Sequence, residues 1–209
     1  MDNNEVISWF GGEFYFDFHI RRLRQLPLDD FFAEYKDRDR LRILEVGCCE
    51  GQSTLWWLKM YLNGNNSSIT CIDPYTARWY DNPLNEIRLP TTKSTFEVFK
   101  SNILDKYDKD KVIFYKNNSA QVLPVLKGPY DIIYIDGGHQ EGNVYYDALL
   151  SWPLLESGCT IMFDDYGTDE WTSEGYGPVH RALNRFLTAD KLAEVDVVND
   201  RRMLVLRKK

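Results

Sequence analysis

Residues 43–53 read ILEVGCCEGQS. A β-rich apolar run ends in Glu45, Gly47 follows at once, Gly51 comes soon after, and Ser53 can open a helix. A strand, a tight turn and a helix start in this order make a cradle for a small cofactor. Gly47 and Gly51 let the backbone turn sharply and approach a ligand with no Cβ in the way. Glu45 narrows the kind of ligand. A dinucleotide pyrophosphate wants amide donors and is repelled by a carboxylate, whereas a ligand carrying sulfonium or ammonium charge is attracted by one. The segment also departs from the GxGxxG fingerprint, reading ExGxxxGxS, so the first expectation is a cationic, nucleoside-like cofactor. An ordinary strand-loop-helix join in an α/β protein is the competing reading.

Length and composition bound the class. The 209 residues suit one domain spanning 1–209, with 44% hydrophobic and 14% aromatic content. No apolar run approaches the roughly 20 residues of a membrane span, and MDNNEVISWF lacks the basic-then-apolar order of a signal peptide. The expectation is a cytoplasmic protein that is not exported. The four cysteines show no CxxC spacing and read as reduced, buried thiols. A net charge of −7 argues against nucleic acid as the main partner. The closing basic group of Arg201, Arg202, Arg207, Lys208 and Lys209 reads better as a solvated hairpin than as a binding patch.

Strands alternate with helices, with no repeats, which predicts an α/β, Rossmann-like doubly wound sheet. Seven strands are expected, at 41–46, 69–72, 112–115, 131–135, 159–163, 194–198 and 202–207. Leu55, Leu58 and Leu62 mark one helical face, and Val144, Ala148, Trp152 and Leu155 another. Further helices are expected at 93–107, 119–126 and 178–188, the last with Pro178 in its first turn. Asn199 and Asp200 would join the last two strands into a C-terminal antiparallel hairpin on an otherwise parallel sheet. The core then covers 41–209, and residues 1–40 form an aromatic-rich N-terminal lid or packing segment.

Ligands gather at the carboxyl ends of such strands. Here those ends are acidic: Glu45, Asp73, Asp136, and the pair Asp164 and Asp165. Any one of them is commonly a cap or turn former. Their recurrence at strand after strand points to a site. Asp73 follows Gly51 at the spacing from which an acidic residue accepts hydrogen bonds from a ribose diol.

ILEVGCCEGQSTLW, CIDPY, NSAQVLP, YIDGGH, DALLSWPLL and FDDY, in that order, resemble a class I S-adenosylmethionine-dependent methyltransferase, and more narrowly the methyltransferase-24 type family. The likeness covers roughly residues 40–190. It implies the strand order 3214576. It also implies that Glu45, Gly47 and Gly51 surround the methionine part of the cofactor and that Ser53 reaches its carboxylate. Asp73 would hold the ribose, and Ser119 and Ala120 the adenine edge, with Asp136 also at the cofactor and Tyr75 either beside the base or packing within its loop.

Methyl transfer from a sulfonium is an in-line displacement, and a hydroxyl acceptor needs a base or a metal. His139 is the expected base, with Asp136 beside it as a second catalytic group able to orient the imidazole. A histidine at a loop-helix junction otherwise only caps or packs. Asp136, Asp164 and Asp165 lie on strands expected to be neighbours, so they could converge on magnesium or another divalent cation. The resemblance extends to metal-dependent sugar and catechol O-methyltransferases. Gly138 departs from the IDGD block of some sugar enzymes, which leaves the role of base to His139.

Acceptor choice is written in loops. The candidates are the stretch holding Trp9, Phe10, Phe14, Tyr15, Phe16 and Phe18, the insertion from Tyr75 to Pro90 with Trp79 and Tyr80, and the loop from Tyr166 to Gly177 with Trp171 and Tyr176. A sugar or glycan hydroxyl is the expected acceptor, with a catechol-type small molecule as the alternative. A dinucleotide-dependent oxidoreductase and a non-catalytic cofactor-binding module are the readings from other classes. A homo-oligomer, or a place in a larger polypeptide, is compatible with all of them.

Overall fold

The computed structural model describes residues 31–36, 38–76, 94–167, 177–200 and 202–209. Seven strands form one sheet: β1 (Arg42–Val46), β2 (Ser68–Ile72), β3 (Val112–Tyr115), β4 (Tyr130–Ile135), β5 (Leu155–Phe163), β6 (Val195–Asp200) and β7 (Leu204–Lys208). Their order is β3-β2-β1-β4-β5-β7-β6, the order implied by the family resemblance. The pairs among β1 to β5 are parallel, while β7 is antiparallel to both β5 and β6. The central strands are buried at all but one position each because both faces are covered, and they are correspondingly rich in Ile, Leu, Val and Tyr, as a parallel sheet requires.

Six α-helices accompany the described strands: α1 (Gln52–Met60), α2 (Thr95–Phe99), α3 (Ser119–Val122), α4 (Glu141–Ser151), α5 (Pro178–Phe186) and α6 (Ala189–Ala193). Leu55, Trp57 and Leu58 of α1 and Val144 and Ala148 of α4 are buried against the sheet. Phe32 sets its ring edge-on to Trp57 at 5.4 Å, and the Tyr35 hydroxyl meets Thr160 Oγ1 at 3.0 Å, so residues 32 to 35 close one side of the core.

Several boundaries differ from the sequence expectation, each for a local reason. Trp152 and Leu155 do not extend the α4 face. Pro153 disfavours helix at the residue before it, so Trp152–Leu154 form a 3-10 turn and Leu155 opens β5. The 93–107 helix divides into α2, begun by a Ser94/Glu97 capping box, and a π turn at Lys100–Leu104. In 119–126, Pro124 sits in a 3-10 turn at Leu123–Val125, leaving α3 one turn long. Helix α5 ends at Phe186, and Thr188 starts α6 by accepting from Lys191 N, a cap that the sequence reading missed. Asn199 and Asp200 belong to β6 rather than to the turn, because a register shift between Val197 and Asn199 lets pairing continue to Asp200.

Candidate active site

The sheet ladder runs one residue past each central strand. Asp73 N donates to Tyr115 O at 3.2 Å, Gly47 N to Ile72 O at 2.9 Å, Asp136 N to Val46 O at 2.8 Å and Asp164 N to Ile135 O at 3.0 Å. These bonds hold the ends of four strands in register, so the acids stand along one edge of the sheet. Gly47 has φ +87°, and a Cβ there would lie 2.0 Å from the Asp136 carbonyl oxygen. Only glycine allows the β1 turn to cross so close to the end of β4. Gly51, at φ +85°, is the N-cap of α1, and a Cβ on it would meet Ile103 Cγ1 at 2.6 Å.

Glu45 is fully buried, and its carboxylate accepts from the Ser53 hydroxyl, from Thr54 Oγ1 at 2.5 Å and from Cys71 Sγ at 3.7 Å. Burial pushes its pKa up to about 7, with the Ser53 and Thr54 hydroxyls pulling the other way. Ser53, expected at the carboxylate of a cofactor, therefore faces Glu45 in this structure. Asp73 accepts from Cys49 N at 3.0 Å and Tyr75 N at 2.8 Å, which fastens the two loops to each other. Burial raises its carboxyl above the ordinary value. Tyr75, itself at φ +50°, donates its hydroxyl to Cys49 O at 2.8 Å and packs its ring near Phe96, Phe99 and Phe114. Gly47, Cys49, Glu50, Ser53 and Asp136 line a cleft between these loops.

Asn118 caps α3 by accepting from Ala120 N at 2.9 Å, and the Ser119 side chain is near enough to the Asp147 carboxyl to favour its charged form. Asp147, on α4, is buried and raised to about 6 by that burial. It was not singled out from sequence, since an acid in the middle of an amphipathic helix ordinarily faces solvent.

The second cluster lies at the ends of β4 and β5. Ligand atoms of Asp136, His139 and Asp165 come within 4.8 Å of one another, and His139 Nε2 lies 3.0 Å from Asp165 Oδ2. Asp165 is the partner of His139 in this contact, and Asp136, considered for that place from sequence, stands in the same cluster. Asp165 is buried at φ +57°, a left-handed backbone that a non-glycine residue adopts only when its surroundings hold it there. Asp164 is turned inward. Its Oδ1 accepts from Asp165 N at 2.7 Å and its Oδ2 takes the Tyr134 hydroxyl at 2.8 Å; that hydroxyl is also 3.1 Å from Asp136 Oδ2. Burial lifts the Asp136 carboxyl well above its usual range, and the charges of Asp164 and Asp165 add to the effect. Tyr134 was also missed, although the two-residue period of a strand puts it on the face of Asp136. Val144, Phe163 and Val179 give the hollow beside His139 an apolar wall.

Of the aromatics in the proposed acceptor segments, Tyr75, placed above, and Tyr166 are described; the Tyr166 ring stacks on His180 at 4.4 Å and its hydroxyl donates to Asn184 Oδ1 at 3.1 Å. The aromatic residues 9–18, Trp79, Tyr80, Trp171 and Tyr176 lie outside the described residues. No helix among the described residues is long and apolar enough to cross a membrane.

A family model for a methyltransferase domain matches residues 44–166. The uncharacterized protein R132 of Acanthamoeba polyphaga mimivirus is 29% identical over 178 residues, 84% of this chain and 71% of that protein. A putative rRNA-methylase from Clostridium thermocellum shares the fold with a TM-score of 0.61 at 14% identity, over 87% of this chain and 93% of that one. MycE methyltransferase from the mycinamycin biosynthetic pathway, solved in complex with Mg, SAH and mycinamycin VI, has a TM-score of 0.58 at 16% identity, over 87% of this chain and 48% of that one.

Proposed function

The chain belongs to the methyltransferase-24 family of class I S-adenosylmethionine-dependent methyltransferases, and from that premise we propose that it methylates oxygen, with a sugar or glycan hydroxyl as acceptor and a divalent cation such as Mg2+ at the acceptor. Family membership sets aside the dinucleotide-dependent oxidoreductase and the non-catalytic module. The observation that carries the proposal is the convergence of Asp136, His139 and Asp165 at the ends of β4 and β5. A nitrogen or sulfur acceptor could rely on positioning alone, whereas a hydroxyl needs the base and charge gathered here.

S-adenosylmethionine supplies a methyl group on a positively charged sulfur. The residues present fit it: the missing Cβ of Gly47 opens the close β1 turn, and Asp136 borders the cleft. Glu45, Gly47, Gly51 and Ser53 would hold the methionine end and Asp73 the ribose. Ser119 and Ala120 would border the adenine, with Tyr75 closing the loop beside it. The chemistry of the second donor set fits a hard cation: Asp136 and Asp165 offer carboxylate oxygens to it beside His139, while Asp164, expected from sequence as a third ligand, is turned inward behind them and adds its charge to the site. Asp136 and Asp165 would hold the cation, whose positive charge would favour loss of the proton from the acceptor hydroxyl. Asp165 would hold the imidazole through Nε2–H, leaving Nδ1 of His139 to take the hydroxyl proton as the oxygen gains the methyl.

The sugar comes from the likeness to sugar O-methyltransferases, and the MycE neighbour, bound to Mg and mycinamycin VI, is compatible with it. RNA, suggested by the other neighbour's name, is disfavoured by the net charge of −7. The test is methyl transfer from labelled cofactor to nucleotide sugars, glycan fragments and catechols, before and after exhaustive EDTA treatment. Sugar methylation that stops on chelation and returns with Mg2+ is the expected result. Catechol-only transfer would overturn the sugar, and an unchanged rate after EDTA would remove the cation.

A further inference from the structure

We propose that Tyr134 is a positioning residue whose hydroxyl, set beneath the sheet edge, ties the Asp136 and Asp164 carboxylates into one preformed unit; this rests on the cation reading above. The hydroxyl is 3.1 Å from Asp136 Oδ2 and 2.8 Å from Asp164 Oδ2, and the residue is completely buried. Tyr134 pairs in register with Glu45 on one side and Met162 on the other, and the Trp57 ring meets its own at 6.2 Å. The ring therefore has little freedom, and the hydroxyl is delivered to a fixed point between two strands.

Two carboxylates on adjacent strands repel each other and, left alone, would swing apart. A single phenolic proton can be directed to either of them, so the hydroxyl answers whichever oxygen carries more charge without moving the ring. The consequence reaches further along β5. Asp164 Oδ1 accepts from Asp165 N at 2.7 Å, and Asp165, in its left-handed conformation, presents Oδ2 to His139. Tyr134 thus supports Asp136 directly, and Asp165 and His139 through Asp164. This is the relation of an outer hydrogen-bond partner to metal-binding carboxylates, whose loss typically lowers metal affinity about 10- to 100-fold.

The experiment is a Mn2+ titration followed by electron paramagnetic resonance on the full chain and on Tyr134→Phe, which keeps the ring and deletes the hydroxyl. S-adenosylhomocysteine binding and thermal unfolding are measured on both proteins. The expected result is about a 10- to 100-fold loss of Mn2+ affinity with S-adenosylhomocysteine affinity and cooperative unfolding retained, a separation that general loosening of the fold would not produce. Equal Mn2+ affinity in the two proteins overturns the role of Tyr134 and leaves the cation reading standing. If the unsubstituted chain binds no Mn2+, both fall. Asp164→Asn gives an independent check through a double-mutant cycle: the Tyr134→Phe loss should shrink in that background, and an undiminished loss would overturn the coupling through Asp164.

Discussion

The two halves of the cleft treat their carboxylates differently. At the β1 and β2 ends, Glu45 and Asp73 are answered by the protein itself, through the hydroxyls of Ser53 and Thr54 and the backbone amides of Cys49 and Tyr75. At the β4 and β5 ends, Asp136, Asp164 and Asp165 crowd one another, and their hydrogen bonds run to Tyr134, to His139 and to one another's backbone. The first half is a finished frame whose acids hold loops in place. The second concentrates negative charge where a cation and an acceptor would meet. Acids at equivalent strand ends can therefore stand in opposite surroundings, one kind met by donors of the protein and the other crowded by further carboxylates.

That contrast breaks first at His139. His139→Ala should lower kcat by about 100- to 10,000-fold, the range for loss of a general base, while S-adenosylhomocysteine affinity measured by calorimetry stays unchanged. A small effect on kcat would make the second half a binding surface only. Gly47→Ala probes the frame instead. The left-handed backbone alone makes a non-glycine residue about 1–3 kcal/mol less stable, and the overlap with the Asp136 carbonyl adds to that. A lower Tm and lost S-adenosylhomocysteine binding are expected; a Tm within a degree or so of the unsubstituted protein would show that the turn can yield.

Glu45 sharpens the comparison through pH. Its pKa is about 7 in the fold against an ordinary 4.5, so between those values the folded state binds the extra proton. Stability then falls as pH rises from about 4.5 to about 7 and is level above that. Glu45→Gln should flatten this slope by up to about 3 kcal/mol in urea unfolding followed across that range. Asp73, Asp136 and Asp147, whose shifts have the same sign, contribute to the slope that remains. An identical slope in the variant would mean that Glu45 is ionised throughout. Smallest is Tyr75→Phe, which deletes the hydroxyl donated to Cys49 O. A loss of about 1 kcal/mol in urea unfolding is expected; an unchanged urea midpoint would show that the bond adds nothing to the fold.

Much of the fold was legible because its signals are local. Glu45 next to the last residue of β1, Gly47 directly after that strand and Asp73 directly after β2 are each tied to a strand by neighbours in sequence, and a parallel strand's burial writes itself as a largely apolar run. The boundaries went astray where a nearby residue overrode the period, as Pro153 did for Trp152 and Leu155, or where pairing shifted register, as at Val197 and Asn199. The acids of the site were visible as strand ends. Their division of labour was not, because nothing in the order of residues says whether a carboxylate will meet a hydroxyl, an amide or another carboxylate.

By itself, then, the sequence determined the alternation of strands and helices, the glycine turn after β1 and the row of acids, because each depends on residues close together in the chain. Only the tertiary structure decided that Ser53 turns to Glu45, that Ser119 lies near Asp147, that Asp165 joins Asp136 beside His139, and that Tyr134 stands between Asp136 and Asp164. Among these, the contacts that cross between β4 and the end of β5 are set by the register of neighbouring strands and by the left-handed turn at Asp165. The physical reason is that a hydrogen bond is decided within a few tenths of an ångström, a distance that sheet pairing and packing control and that periodicity does not encode.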